Sequence, residues 1–422
     1  MPGLRSILTR APRAAVLCAS LLSACAGPGS LPQASPVAAA GQRGIPDRLA
    51  DTTFWRMMND FSEPWGIFRS ENFVSNETSL QWVIPELQAK IKPGGVYMGV
   101  APDQNFTYVI AVKPAIAFIV DIRHQNAVQH LMYKALIEMS NTRAEFLAKL
   151  FAKAPLSGVN ASSSVAELFA ALGNQPADSA RYRENLKAIK DRLMKVHRFA
   201  LSDSELVSLN CVYGAFFTNG PALTYNFSSD CRNPGPVRGG FGGGGGGGGA
   251  GGTAPVMRGG FGMPSYLAMV AENDGAGVNR SYLATEANFR ALKDMEERNL
   301  IVPLTGNFAG DKAIRAVGQW ARERGAVVST FYLSNVEQYL FQQDDEAARF
   351  YHNVATLPID STSTFIRSSS MGGMYGAPPG GTAFKQQSGR SLQLVSSIAA
   401  VLKAFEAGLV QSYAQVLALS HQ

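Results

Sequence analysis

The residue types and spacings best suited to chemistry begin with a glycine and an acid 22 positions apart, Gly99 and Asp121. A small residue at the end of a strand lets a ligand approach the backbone, and the helix N-terminus that follows offers unbonded N–H groups. An acid at the tip of the next strand can accept hydrogen bonds from both hydroxyls of a ribose. The pair predicts a small nucleoside-type ligand, with Ala101, Gln104 and Asn105 on the turn after Gly99 and Arg123 beside the acid. The turn reads Gly-Val-Ala-Pro, with Ala101 and Pro102 where further glycines would stand. The alternative reading is an ordinary α/β turn with a surface Asp. Farther along, Gly306-Asn307 and Ser334-Asn335 place polar residues at the ends of two more apolar runs. His124, next to Arg123, reads either as a base or as a surface histidine at a strand-to-helix turn. Glu71-Asn72 and Ser75-Asn76-Glu77 read either as a lid over the cleft or as a cap-and-turn cluster. The sequence contains no GxSxG, HExxH or P-loop motif. His124 and His130 are six apart and do not share a helix face, so no metal site is expected.

Those residues need strands that end beside them and helices that start there. Val96 to Val100 follows the turn signal Lys92-Pro93-Gly94-Gly95 and reads as a buried strand. A helix over 106–112 stops at Lys113-Pro114, because proline cannot continue it. Ala115 to Val120 is a second buried strand ending at Asp121, and Val128, Leu131, Met132, Ala135, Leu136 and Met139 recur at helical spacing. A β-α-β-α order implies parallel strands with right-handed crossovers. The second half repeats the pattern. Thr285 caps a helix to Arg298, a strand covers 300–304, Asp311 caps a helix to Gly325, and a strand covers 327–333. Residues 144–210 read as a helical insertion, and 392–419 as one last helix with Leu394, Ile398, Val401, Leu402, Phe405, Leu409 and Tyr413 on its inner stripe.

The 422 residues are 46% hydrophobic and 17% charged, which suits a sizeable core. No run of 18 apolar residues occurs, which excludes a multi-span membrane protein. The net charge is +6; without Arg5, Arg10 and Arg13, 35 Lys+Arg face 32 Asp+Glu, a net +3 that does not argue for nucleic acid. Those arginines precede a short apolar stretch ending in Leu22-Ser23-Ala24-Cys25, so 1–24 reads as a secretory signal. Residues 25–45 read as a flexible tether, followed by a first part at 46–233. Residues 234–262 hold 16 glycines and read as a disordered glycine-rich loop or a linker, leading into a second part at 263–422 of the same domain. Cys211 and Cys231 remain after the signal, and in an oxidising compartment they favour one disulfide, with two free thiols as the alternative in the cytosol.

Leu22 to Cys25 resembles the lipobox of bacterial lipoproteins, which implies a lipid anchor on Cys25 and an envelope location facing the periplasm, on the outer membrane since Ala26 is no retention Asp. The alternative is a cytoplasmic protein with a mis-assigned start. Residues 70–77 (SENFVSNE), 97–126 and 299–340 resemble an uncharacterised bacterial family whose proteins look like class I S-adenosylmethionine-dependent methyltransferases. The resemblance covers roughly 50–150 and 264–367. It implies that Gly99 to Asn105 is the methionine-side loop, Asp121 the ribose acid, Gly306-Asn307 the adenine-side turn and Ser334-Asn335 the substrate-facing loop, with S-adenosylmethionine as cofactor. Two departures from the family pattern are the Gly-Val-Ala-Pro loop and Asn307 where an acid would stand. The expected fold is α/β, a Rossmann-like, mainly parallel sheet with flanking helices. The expected function is group transfer; its alternative is a non-catalytic envelope lipoprotein whose pocket is vestigial or holds another ligand.

Overall fold

Strands covered by helices on both faces read as unbroken apolar runs, because neither side chain direction meets water. The structure, a computed structural model, describes residues 44–66, 68, 70–225, 263–370 and 391–420. The signal, Cys25, the tether up to residue 43, the glycine tract and Cys231 lie outside the described residues. In chain order the elements are α1 (Asp51–Asp60), α2 (Ile84–Lys90), β1 (Val96–Gly99), α3 (Gln104–Val112), β2 (Ile116–Asp121) and α4 (His124–Glu138). Then come α5 (Arg143–Leu150), α6 (Val165–Gly173), α7 (Ser179–Asp191), α8 (Asp203–Asn219), α9 (Tyr266–Ala271), α10 (Glu286–Glu297), β3 (Ile301–Thr305) and α11 (Ala313–Glu323). The chain closes with β4 (Val328–Ser334), α12 (Val336–Leu340), α13 (Glu346–Ala355), β5 (Thr364–Ser370), β6 (Ser391–Ser397), α14 (Ile398–Glu406) and α15 (Tyr413–Ala418).

The strands make one sheet in the order β3-β2-β1-β4-β5-β6. The first five are parallel and β6 runs antiparallel to β5. This is a Rossmann-like α/β fold, and strands from both sides of the glycine tract build the same sheet. β1, β2 and β3 are buried at every position. Pro303 sits inside β3 without disrupting the sheet because β3 is an edge strand that pairs with β2 alone. The order reverses between β1 and β4, and a crevice opens at such a reversal beyond the carboxyl ends of the strands. The helices α5 to α8 form the insertion, two of them started by capping boxes, Ser164 with Glu167 and Ser202 with Glu205. Cys211, on α8, is disulfide-bonded.

Two expectations are corrected here. Residues 392–419 are not one helix. Ser391–Ser397 is the antiparallel strand β6, Ser397 accepts from the Ala400 amide to cap α14, and Gly408 (φ 72°) separates α14 from α15. Leu409, read as inward, is 64% exposed. The helical spacing was real only from Ile398 onward; β6 is too short to set its own period against it. The second correction concerns α11. Asp311 does not cap it: the helix begins at Ala313, and the amides of Lys312 and Ala313 are taken by the carboxylate of Glu63 at 2.6 and 2.8 Å.

Candidate functional site

The turn from β1 into α3 is built around one buried amide. Asn105 donates from Nδ2 to the carbonyls of Val100, Ala101 and Pro102 at 2.8, 3.0 and 2.7 Å, and its Oδ1 accepts from the Tyr97 hydroxyl at 2.8 Å. Gly99 is required by that arrangement: a Cβ there would stand 2.0 Å from Asn105 Oδ1. Both residues belong to the inner side of the turn, and neither lines the cavity in front of it. Ala101 holds φ 70°, where a glycine would be unstrained. Its carbonyl also accepts from Asn126 Nδ2 at 3.3 Å and from His130 Nε2 at 3.1 Å. Burial lowers the His130 pKa to about 4, so the ring is neutral with its proton on Nε2. Behind the turn, burial pushes Asp103 up to about 6 while Tyr282 donates to it at 3.0 Å.

A cavity of about 420 Å³ lies beyond the carboxyl ends of β1, β2, β3 and β4. Of the ten residues expected to bind a ligand, eight line it: Ala101, Gln104, Asp121, Arg123, Gly306, Asn307, Ser334 and Asn335. Its volume falls in the ordinary range for small-molecule sites. Asp121 does not stand free. Arg123 donates to Oδ1 through its backbone N–H (2.9 Å) and Nε (3.1 Å), and to Oδ2 through a terminal nitrogen (3.1 Å). Both residues are buried, so the acid at the strand tip carries its own counter-ion. At the third strand, Asn307 donates its N–H to Glu63 at 3.0 Å, which orients the Gly306-Asn307 turn.

The opposite wall comes from the 71–77 segment. Asn72, Val74, Ser75 and Asn76 line the cavity, and Gln129 donates to the Phe73 carbonyl at 2.7 Å. The segment is thus a wall tied to α4. Glu77 points behind it into the protein. Ser334 Oγ donates to its Oε1, and Tyr332 (2.7 Å) and Gln393 (3.4 Å) donate to its Oε2. Burial pushes its pKa up against those hydrogen bonds. Ser334 itself holds φ 52° at the end of β4. Among the described residues, Gln104 Oε1 and Asn72 Oδ1 are buried without a hydrogen-bond partner, and both residues line the cavity.

His124 is settled by its neighbours: Nδ1 bonds Thr305 Oγ1 at 2.8 Å and Nε2 bonds Glu205 at 2.9 Å, so it ties α8 to the end of β3. It does not line the cavity. Sequence reasoning missed the aromatic lining of Phe68, Tyr225, Phe308 and Tyr339, and the anchoring acid Glu63. Phe308 follows the Gly306-Asn307 turn directly, but its apolar side chain reads as core; the others lie outside the strand-end motifs, so no local signal marked them. Among the described residues, no three His, Cys, Asp or Glu side chains are grouped to hold a metal, and no helix is long and apolar enough to cross a membrane.

No curated protein matches the chain. A family model does, over residues 72–209 and 258–415, a span that includes all six strands and the cavity wall from Asn72 onward. The chain belongs to the family described as Domain of unknown function (DUF7790).

Proposed function

We propose that the cavity binds a nucleoside-type ligand and that the protein is a group-transfer enzyme of the S-adenosylmethionine-dependent, methyltransferase-like kind, lipid-anchored at Cys25 and facing the periplasm. The observation that carries this reading is that residues from four parallel strand ends, Ala101, Asp121, Gly306 and Ser334, converge on one cavity where the strand order reverses. The lining fits such a cofactor. A carboxylate offers about four acceptor sites, and Arg123 uses three on Asp121, which leaves room for a ribose hydroxyl. The unpartnered oxygens of Gln104 and Asn72 are acceptors for an ammonium group. Phe308 and Tyr225 supply flat apolar faces for a base. The cofactor contributes an electrophilic methyl on a sulfonium; the protein's part is to hold it and to present the acceptor.

A second reading is supported by the Asp121–Arg123 pair and by Gly99 and Asn105 facing inward. It is a non-catalytic envelope lipoprotein whose pocket is vestigial or takes a different small ligand, which agrees with an exported protein lacking access to a cytosolic cofactor. Calorimetric titration with S-adenosylmethionine and S-adenosylhomocysteine separates the two. The transferase reading expects micromolar binding, weakened at least tenfold by Asp121→Asn. Absence of binding at millimolar ligand would remove it in favour of the second.

A further inference from the structure

Glu77 is a buried carboxyl held by neutral hydrogen-bond donors. It is 3% exposed, and its side-chain partners are the neutral groups of Ser334, Tyr332, Gln393 and Ser368. Burying an acid without a counter-ion is costly, and hydrogen bonds offset part of that cost. The titratable groups around it are tyrosines: Tyr332 donates to it, and its charge opposes the ionisation of Tyr97, Tyr108 and Tyr413. Two links lead from this pocket to the cavity, Gln104 through the Tyr332 hydroxyl and, directly, Ser334. The serine hydroxyl donates to Glu77 Oε1, and the same residue lines the cavity. Ser334 is also held at φ 52°, a left-handed conformation uncommon for a residue other than glycine. Glu77 reaches it from 257 residues away in sequence, and Gln393 from β6 fixes the far oxygen of the carboxylate.

We propose that Ser334 and Glu77 form a proton-accepting pair at the acceptor end of the cavity, and that the acceptor substrate is an uncharged hydroxyl or amine that must lose a proton to react. The inference rests on the group-transfer reading of this cavity. In the step, the proton of the acceptor's O–H or N–H moves to Ser334 Oγ as the serine's own proton moves to Glu77 Oε1. Glu77 ends as a carboxylic acid, and the acceptor atom keeps its electron pair. Only bonds to protons change. Ser334 is the group that touches substrate; Glu77 acts through it. The surrounding lining suits an uncharged polar acceptor: Asn72, Ser75, Asn76 and Asn335 offer amides and hydroxyls, and the charged members of the lining are the mutually paired Asp121 and Arg123 and the acid Glu346. Burial lifts the Glu77 pKa, which brings an acid toward the range where a general base works near neutrality.

The test is covalent labelling of the full chain with phenylmethanesulfonyl fluoride across pH, read by peptide mass spectrometry. Attack by Ser334 Oγ forms an O–S bond, breaks S–F, releases fluoride and passes the serine proton to Glu77. The pair predicts labelling at Ser334 that rises with pH through a midpoint above the ordinary glutamate value. Glu77→Gln slows it at least tenfold, and Glu77→Asp recovers part of the rate. Absence of labelling at Ser334, a rate flat in pH in the unmodified chain, or equal rates in Glu77→Gln would overturn the pair. S-adenosylhomocysteine titrated in parallel keeps the readings apart. Labelled Ser334 without nucleoside binding retains the pair and sinks the cofactor; binding without labelling sinks the pair alone.

Discussion

At the scale of single residues, Gly99 and Asn105 exchange a ligand role for a structural one. Asn105 supplies donors to three successive carbonyls of the β1–α3 turn, and glycine at 99 leaves the room its oxygen needs. Removing the amide takes the side-chain donor from the Val100 carbonyl and the acceptor from the Tyr97 hydroxyl, while Ala101 keeps Asn126 and His130, so Asn105→Ala is expected to cost about 1–3 kcal/mol. Gly99→Ala is expected to cost about 1–3 kcal/mol through overpacking. The two should not add. With Asn105 truncated the nearest obstruction is gone and the Tyr97 ring, 2.8 Å from the added Cβ, is freed from its hydrogen bond to shift, so Gly99→Ala becomes cheaper by about 1 kcal/mol in a double-mutant cycle of urea unfolding. Additive losses would mean that Gly99 is kept for another reason. Asp121 shows the same lesson from the other side: spacing marked it as an acid at a strand tip, and the structure surrounds it with Arg123.

At the scale of elements, α11 is started from outside itself. Glu63 accepts from the amides of Asn307, Lys312 and Ala313, and Gly310 packs against its carboxylate. Asp311, the local residue of the right type, is solvated and pairs loosely with Arg349 at 3.3 Å and Arg315 at 3.8 Å. Loss of a cap costs about 1–2 kcal/mol, and exposed ion pairs contribute little. Glu63→Ala is therefore expected to lower stability by about 1–2 kcal/mol, and Asp311→Ala by less than ~0.5 kcal/mol, measured by denaturant midpoints at constant m. Equal effects would return the cap to Asp311. Because Glu63 also holds the Gly306-Asn307 turn, its loss should loosen one wall of the cavity as well.

At the scale of the whole molecule, buried acids set how stability responds to pH. Burial raises Glu296 from 4.5 to about 8 and Glu272 to about 7. Between those values the folded state keeps protons that the unfolded chain releases, so stability falls as pH rises from about 4.5 to 8. His130 acts in the opposite sense, since its folded value of about 4 lies below 6.5, and its contribution grows with pH and is complete by 6.5. From there upward the acids decide the slope. Glu296→Gln removes the proton that must be held or lost. The variant should gain on the parent between pH 6 and pH 8, by an amount on the order of a few kcal/mol, in paired thermal melts. A difference independent of pH would show that Glu296 ionises normally.

The order of strands and helices around the first turn, and the strand ends where polar residues stand, followed from the sequence alone. Unbroken apolar runs, Lys92-Pro93-Gly94-Gly95 and Pro114 are local signals, and local signals specify local structure. β6 escaped for the same reason inverted, since Ser391–Ser397 flows into a true helical stripe. What only the tertiary structure decided is which side chains meet. Glu63 reaches Ala313 across 250 residues, and Glu77 reaches Ser334 across 257. Arg123 lies two residues from Asp121, yet only the packed turn makes its guanidinium face the carboxylate. Periodicity records which face of an element is buried. It carries no information about the partner waiting there, because that partner is chosen by packing between segments that the chain brings together only when folded.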